Sequence, residues 1–291
     1  MNVLLTGAQG FCGGYLRQTL RNSANTLWAT ARRWDTPLKL QPGYKTLETD
    51  FSDFRSLPKF VDVVVHTAAS LSVGQAAEID FQRNNIDLTR NLVNYAIDAG
   101  ARLFIFFSAI SVYGTIGSSI VSEETPCTDP DPYSLSKLRS EAYLAENQHA
   151  ISSLSLRLPS VVGPGARYGW LTGVVTKMRR NDPVTFVNPD TLFNNAVHIA
   201  DLARFIDRLI ASPPSGAAAI NLSLDGQMPV ADLLSSLKSL LHSDSALIAT
   251  SDAAKPGFLI DSTLGREKFG WRSMAVEPFL RQLAADGTAE I

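Results

Sequence analysis

Cysteine is scarce in this chain: only Cys12 and Cys127 occur in 291 residues, far apart and without the close spacing of metal ligands. That argues against a disulfide framework and against a zinc site, and it points to a reducing compartment, with both thiols read as packing residues. An excess of charge of one sign is missing too. Lys and Arg total 26 against 28 Asp and Glu, for a formal net charge of −2 and a pI near 6.1. No Lys/Arg run or basic stripe occurs, so neither nucleic acid nor an anionic membrane is expected as a partner, and a small-molecule substrate is. Low-complexity tracts, internal repeats and long apolar runs are absent as well. The opening Met1–Gly7 has no basic n-region, and its apolar run is too short for a signal peptide or a membrane span, so a cytoplasmic protein is expected.

What is present is an ordinary globular composition, 45% hydrophobic and 19% charged. Short apolar runs at Val3–Leu5, Leu27–Thr30, Val61–His66, Leu103–Phe107 and Leu154–Leu158 read as strands, and helix-period segments lie between them. Runs that are apolar on nearly every residue imply burial on both faces, which predicts a doubly wound parallel α/β sheet covered by helices. Beyond about residue 160 the alternation weakens. Gly163-Pro164-Gly165 and Ser212-Pro213-Pro214-Ser215-Gly216 punctuate this part, while Val197–Ala211 has helical spacing. The expected organisation is therefore 1–160 as a nucleotide-binding domain with 194–212 packing back onto it, and 161–193 with 213–291 as a smaller C-terminal cap.

Three clusters carry chemistry. The first strand runs into Thr6-Gly7-Ala8-Gln9-Gly10-Phe11-Cys12-Gly13, and a helix pattern follows. A tight strand-to-helix turn of this kind lets the backbone approach a pyrophosphate, whose charge the helix N-terminal amides then meet. The second strand ends in Ala29-Thr30-Ala31-Arg32-Arg33, where an NAD-selective site would place Asp or Glu. Two arginines there can instead hold the 2′-phosphate of NADP, so NADP is favoured and NAD is the alternative; a solvated strand-end pair is the plainer reading. The third cluster, Tyr133-Ser134-Leu135-Ser136-Lys137, sets a phenol and an ammonium one helical turn apart. A nearby Lys should lower the Tyr pKa from about 10 toward the operating pH, so that it can exchange a proton with a hydroxyl or carbonyl.

Together these residues resemble the extended short-chain dehydrogenases/reductases, the NAD(P)-dependent epimerase/dehydratase family. The resemblance runs in order through Thr6–Gly13 as the cofactor turn, Asp50-Phe51 as the adenine contact, and His66-Thr67-Ala68-Ala69 beside the cofactor. It continues through Asn84-Asn85, Val112-Tyr113-Gly114, Tyr133 and Lys137, and Arg157-Leu158 with Gly163-Pro164-Gly165. Val197–Ala203, Asn221-Leu222 and Phe269-Gly270-Trp271 complete it. It implies a Rossmann sheet with a substrate-binding cap, and hydride transfer at a carbonyl or secondary alcohol, with a nucleotide-linked sugar as the candidate substrate. Tyr133 would be the acid/base, Lys137 would tune it and bond the nicotinamide ribose, and Gly7, Gln9, Gly10, Phe11, Gly13, Arg32, Arg33, Asp50, Phe51, Ala68, Ala69 and Asn85 would line the cofactor site. A homodimer built from the helices around Asn85–Ala99 and Tyr133–Gln148 is also implied.

One position departs from the family. Where a Ser or Thr hydroxyl usually stands, four residues before the Tyr of V-Y-G, this chain has Ala109. By strand parity Ser111 is the preferred replacement and Ser108 the alternative. Ser160, Arg167 and Asn194 are candidate substrate contacts, Arg167 reading more readily as a solvated loop residue, and His66 and His198 are read as structural. Two further functions stay open: an epimerase that retains its cofactor, and a non-catalytic NADP-binding sensor, which Ala109 would suit. A dehydratase fits less well, because Ile110-Ser111 replaces the Asp-Glu pair of sugar dehydratases.

Overall fold

A computed structural model of the chain describes residues 1–20, 24–34, 43–71, 78–250 and 257–287. The chain divides into two units that interleave in sequence. One comprises Met1–Thr115, Cys127–Arg157 and Ala203–Ile220, and the other Ile116–Pro126, Leu158–Leu202 and Asn221–Ile291. These bounds differ from the expected 1–160 and 194–212. The segment 116–126 falls in the second unit because Ile120–Val121 pairs with Leu259–Ile260, and 194–202 does so because Ala196–His198 pairs with Ser160–Val162.

The first unit is built on a seven-stranded sheet in the order Ala217–Asn221, Ser152–Leu158, Leu103–Ala109, Val63–His66, Asn2–Thr6, Thr26–Ala31, Tyr44–Glu48. The pairings from Leu103–Ala109 through to Tyr44–Glu48 are parallel. The apolar runs are continuous because both faces are covered. Leu4, Val64, Phe104 and Phe106 point to one face, where they meet Leu92, Val93 and Ala96 of helix Leu88–Asp98 and Leu144 of helix Pro132–Glu146. The alternate residues Val3, Leu5, Val63, Val65 and Ile105 are fully buried as well, facing the other way as the two-residue period of a strand requires.

Chain order places the site. From Asn2–Thr6 the chain builds outward through Thr26–Ala31 to Tyr44–Glu48, then returns to Val63–His66 on the other side of the first strand. Thr6 and His66 are therefore partners at the ends of adjacent strands. A parallel sheet opens a crevice beyond the carboxyl ends of two such strands.

Two strands lack a strong sequence signal: Tyr44–Glu48 is an edge strand with no buried residue, and Ala217–Asn221 follows directly on a proline-rich stretch. The expected strand at Val61 begins only at Val63, and the expected helix from Val197 begins at Ile199. The second unit holds small two-stranded pairs and the helices Trp170–Arg179, Val230–Leu240, Thr263–Phe269 and Val276–Ala285. Leu171, Met178, Leu233, Leu237 and Phe279 form its core. No helix among the described residues is long and apolar enough to cross a membrane.

Candidate functional site

The glycine turn folds back on the segment that follows Val63–His66. Gly7 has φ +67°, and a Cβ there would lie 2.8 Å from the Ala68 nitrogen. A Cβ on Gly13 would lie 2.1 Å from the Gly7 carbonyl oxygen, so the first turn of helix Phe11–Thr19 packs against the loop only because that position has no side chain. Gly10 is different. Its φ is ordinary, and a Cβ would lie 3.3 Å from the Gly7 oxygen, a tight contact that a shift of a few tenths of an ångström relieves, so packing requires glycine less strictly there. It does line a cavity of about 440 Å³, together with Gly7, Gln9, Arg32, Asp50, Phe51, Ala68 and Ala69.

Helix Phe11–Thr19 has no side-chain cap and no acid in its first turn, which leaves its N-terminal amides to an outside anion. A glycine turn that lines the cavity, an uncapped helix N-terminus and an arginine in the cavity wall together fit a dinucleotide. Phe11 and Gly13 shape the turn without lining the cavity, and Arg33 is exposed beside it. Thr30, Ala31, Thr67, Ser70, Asn84 and Leu88 complete the wall, and of these Ser70 and Leu88 lie outside every motif read from the sequence.

Asn85 joins that wall to the catalytic pair. It sits in a π-helical turn, Gln82–Asp87, at the start of the long helix, and its amide is fully used. The side-chain oxygen accepts from the Ser70 amide at 2.8 Å, and the nitrogen donates to the Ser70 carbonyl at 3.1 Å and to Ser136 Oγ at 2.9 Å. Ser136 lies on helix Pro132–Glu146, which starts where it does because Asp131 accepts from the Ser134 amide at 2.7 Å and Pro132 occupies its first turn. The same helix presents Tyr133, half-buried, and Lys137, buried.

Lys137 Nζ donates to the Phe107 carbonyl at 2.8 Å and stands 4.8 Å from the Phe106 ring centre and 5.7 Å from that of Tyr133. Burial lowers its pKa to about 8, against the opposing pull of Glu141. The Tyr133 phenol moves in the direction opposite to the one expected. Burial, then the charge of Asp131, then Cys12, push it up to about 12. The ammonium is turned to a carbonyl and an aromatic face, and the chain by itself keeps Tyr133 a neutral proton donor. His66 behind them is also neutral, its pKa lowered to about 3 by burial and then by Lys137. Thr89 donates its hydroxyl to the Asn85 carbonyl at 2.6 Å, so His66 Nε2 donates to Thr89, and Nδ1 accepts from Thr6 at 2.7 Å. The histidine is a strut between strand ends.

The two serines separate cleanly. Ser108 donates to Glu141 at 2.5 Å, inside a buried set in which Arg157 also bonds Glu141 at 2.7 Å and Tyr113 at 2.8 Å. Its hydroxyl is committed to that network, which removes Ser108 as a donor to substrate. Ser111 is exposed, and its Oγ accepts from Ser134 at 2.7 Å. The parity argument for it does not hold, because the strand ends at Ala109 and Ile110–Tyr113 forms a 3-10 turn.

In the second unit Ser160 is half-buried at a strand start, and Arg167 is exposed on a loop. Asn194 is not free to bind substrate. Its amide donates to the Ile260 carbonyl at 2.8 Å and accepts from the Ile260 amide at 2.9 Å, pairing with strand Leu259–Ile260 as a backbone would. His198, bonded to Asp286 at 2.8 Å, is likewise held by its own unit.

Comparison with known proteins agrees with this geometry. The pattern of the NAD dependent epimerase/dehydratase family matches residues 3–223. The chain is 27% identical to a UDP-glucose 4-epimerase of Vibrio cholerae over 77% of this chain and 71% of that protein. It is 30% identical to a decarboxylating sterol-4-alpha-carboxylate 3-dehydrogenase of Dictyostelium discoideum over 56% of this chain and 54% of that one. A UDP-glucuronic acid 4-epimerase from Bacillus cereus, solved in complex with NAD, shares the fold with a TM-score of 0.81, covering 98% of this chain and 97% of that chain at 24% identity. The family pattern spans the glycine turn, the cavity wall, Tyr133 and Lys137, and the chain belongs to the NAD-dependent epimerase/dehydratase family, a family of enzymes.

Proposed function

We propose that this is a cytoplasmic NADP-dependent oxidoreductase acting on a carbonyl or secondary alcohol of a nucleotide-linked sugar, with Tyr133 as its acid/base. The observation that carries the proposal is the continuous linkage from the cavity wall through Asn85 and Ser136 to a neutral phenol beside a buried ammonium. Bound in the cavity, the nicotinamide would supply or accept hydride at the substrate carbon. The chain's own part is proton transfer and orientation.

A protonated Tyr133 suits donation to the oxygen of a carbonyl as it is reduced, since a phenol whose pKa is near 12 is a donor and not a base at neutral pH. Lys137, 5.7 Å from the Tyr133 ring centre, would add positive charge on that side of the pair, and Ser111 would offer the second hydroxyl that Ala109 lacks. Asn85 would hold the wall in register with the helix that carries the pair. NADP rather than NAD is favoured by Arg32 in the cavity wall and Arg33 beside it, with no acid where the second strand ends. Ser160 and Arg167 remain candidate substrate contacts, and a homodimer through the helices around Asn85–Ala99 and Tyr133–Gln148 belongs to the same proposal.

The sugar-nucleotide epimerase among the relatives favours a second reading, in which the cofactor stays bound and no net redox change occurs. Analysis of the nucleotide that co-purifies with the protein, followed by a screen of nucleoside-diphosphate sugars at 340 nm, separates the two. Net consumption of NADPH supports the reductase. Product formation without absorbance change, with stoichiometric retained cofactor, replaces it with the epimerase.

A further inference from the structure

Beyond Arg32 and Arg33 the second strand runs out into Trp34, whose backbone N–H donates to a Glu48 carboxylate oxygen at 2.9 Å. The indole ring of Trp34 carries a guanidinium that no motif singles out. Arg17, in the last turn of the helix that follows the glycine turn, lies with its central carbon 5.5 Å from the ring centre. An arginine held in one position by its own protein normally spends its donors on carboxylates or carbonyls. Arg17 does not. Its Nε–H is buried without an acceptor, and the Trp34 indole N–H beside it is buried without one as well. Among the described residues no carboxylate is paired with Arg17.

Leaving buried donors unmet is unfavourable, and a guanidinium with its fork unspent is suited to an acceptor-rich anion such as phosphate. Arg32, two residues before Trp34, lines the cofactor cavity, and Arg33 is exposed next to it. We infer that Arg17, braced on Trp34, forms with Arg32 and Arg33 a phosphate-selective subsite that recognises the 2′-phosphate of NADP. The inference rests on the NADP reading and adds to it. Arg32 and Arg33 are exposed and lose side-chain freedom when they bind, whereas Arg17 is already seated on a ring. Selectivity should therefore depend on Arg17 at least as much as on the strand-end pair.

The test is titration of the full chain with NADPH and with NADH, following reduced-nicotinamide fluorescence. Wild type should bind NADPH at least about tenfold tighter. Arg17→Gln should lose about tenfold or more of NADPH affinity while NADH affinity stays within about twofold, the unchanged NADH binding showing that the cleft is folded. Trp34→Phe, which keeps an aromatic platform, should stay close to wild type, and Trp34→Ala should follow Arg17→Gln. Equal affinities in wild type would overturn the NADP reading and this inference with it. A wild-type preference for NADPH that survives Arg17→Gln, with loss only in Arg32→Gln or Arg33→Gln, would overturn the inference alone.

Discussion

Lys137 gives a prediction with a worked magnitude. Its ammonium is buried against one carbonyl and an aromatic ring, and its pKa falls from 10.5 to about 8. At about 1.36 kcal/mol per unit, that shift means the folded state gives up about 3 kcal/mol to keep the charge in place below pH 8. Between pH 8 and 10.5 the unfolded chain still binds this proton and the folded chain has released it, so this contribution makes stability rise with pH. Cys12 and Tyr133, raised to about 12, act in the opposite sense over part of the same range. Both groups are present in a Lys137→Met variant, so the difference between the two proteins isolates the lysine. Urea unfolding followed by circular dichroism at pH 7, 8, 9 and 10 should show wild type gaining about 2 kcal/mol on the variant across that range. At pH 7 the variant should be no less stable than wild type, although it loses a hydrogen bond of about 1 kcal/mol, and it should be inactive. Parallel stability profiles would refute the claim that the buried ammonium is held at a cost.

Gly13→Ala should destabilise the fold by about 1–3 kcal/mol or more in thermal melts, because its methyl meets the Gly7 carbonyl. Gly10→Ala should melt within about 1 kcal/mol of wild type yet bind NADPH at least about tenfold more weakly, its methyl entering the cavity. His66, neutral with a pKa near 3 in the fold, leaves its proton uptake to the unfolded chain, so stability should fall by several kcal/mol as pH drops from 6.5 toward 3. His66→Asn should flatten that part of the profile in acid unfolding. Ser111→Ala should lower kcat by about tenfold or more, and Ser108→Ala should leave kcat within about twofold while destabilising the fold through the Glu141 network.

The sheet was readable because its central strands are buried on both faces, and burial leaves a continuous apolar run in the sequence. The edge strand Tyr44–Glu48 was not, since an exposed strand needs no such run and Tyr44 and Leu47 alone do not mark one. The glycine turn was legible because Gly7 and Gly13 leave no room for a Cβ, and the Tyr133–Lys137 pair because one helical turn sets both side chains on the same face. What spacing could not give is what each polar side chain spends its hydrogen bonds on. Asn85, Ser108 and Asn194 are all polar residues that the sequence offers as site candidates, and only the folded partners separate a wall support from a committed network member and a strand-pairing amide. The Tyr133 phenol shows the same limit, because burial outweighs a lysine one turn away once the ammonium faces another acceptor.

The central claim is that Tyr133 transfers the proton in a reaction driven by a nicotinamide held in the Gly7–Gly13 cleft. The most direct measurement is single-turnover chemistry of Tyr133→Phe and wild type, each saturated with cofactor, on whichever nucleoside-diphosphate sugar wild type converts. The account predicts a rate loss of about 100-fold or more with NADPH affinity unchanged. A Tyr133→Phe enzyme that turns over at the wild-type rate would contradict it.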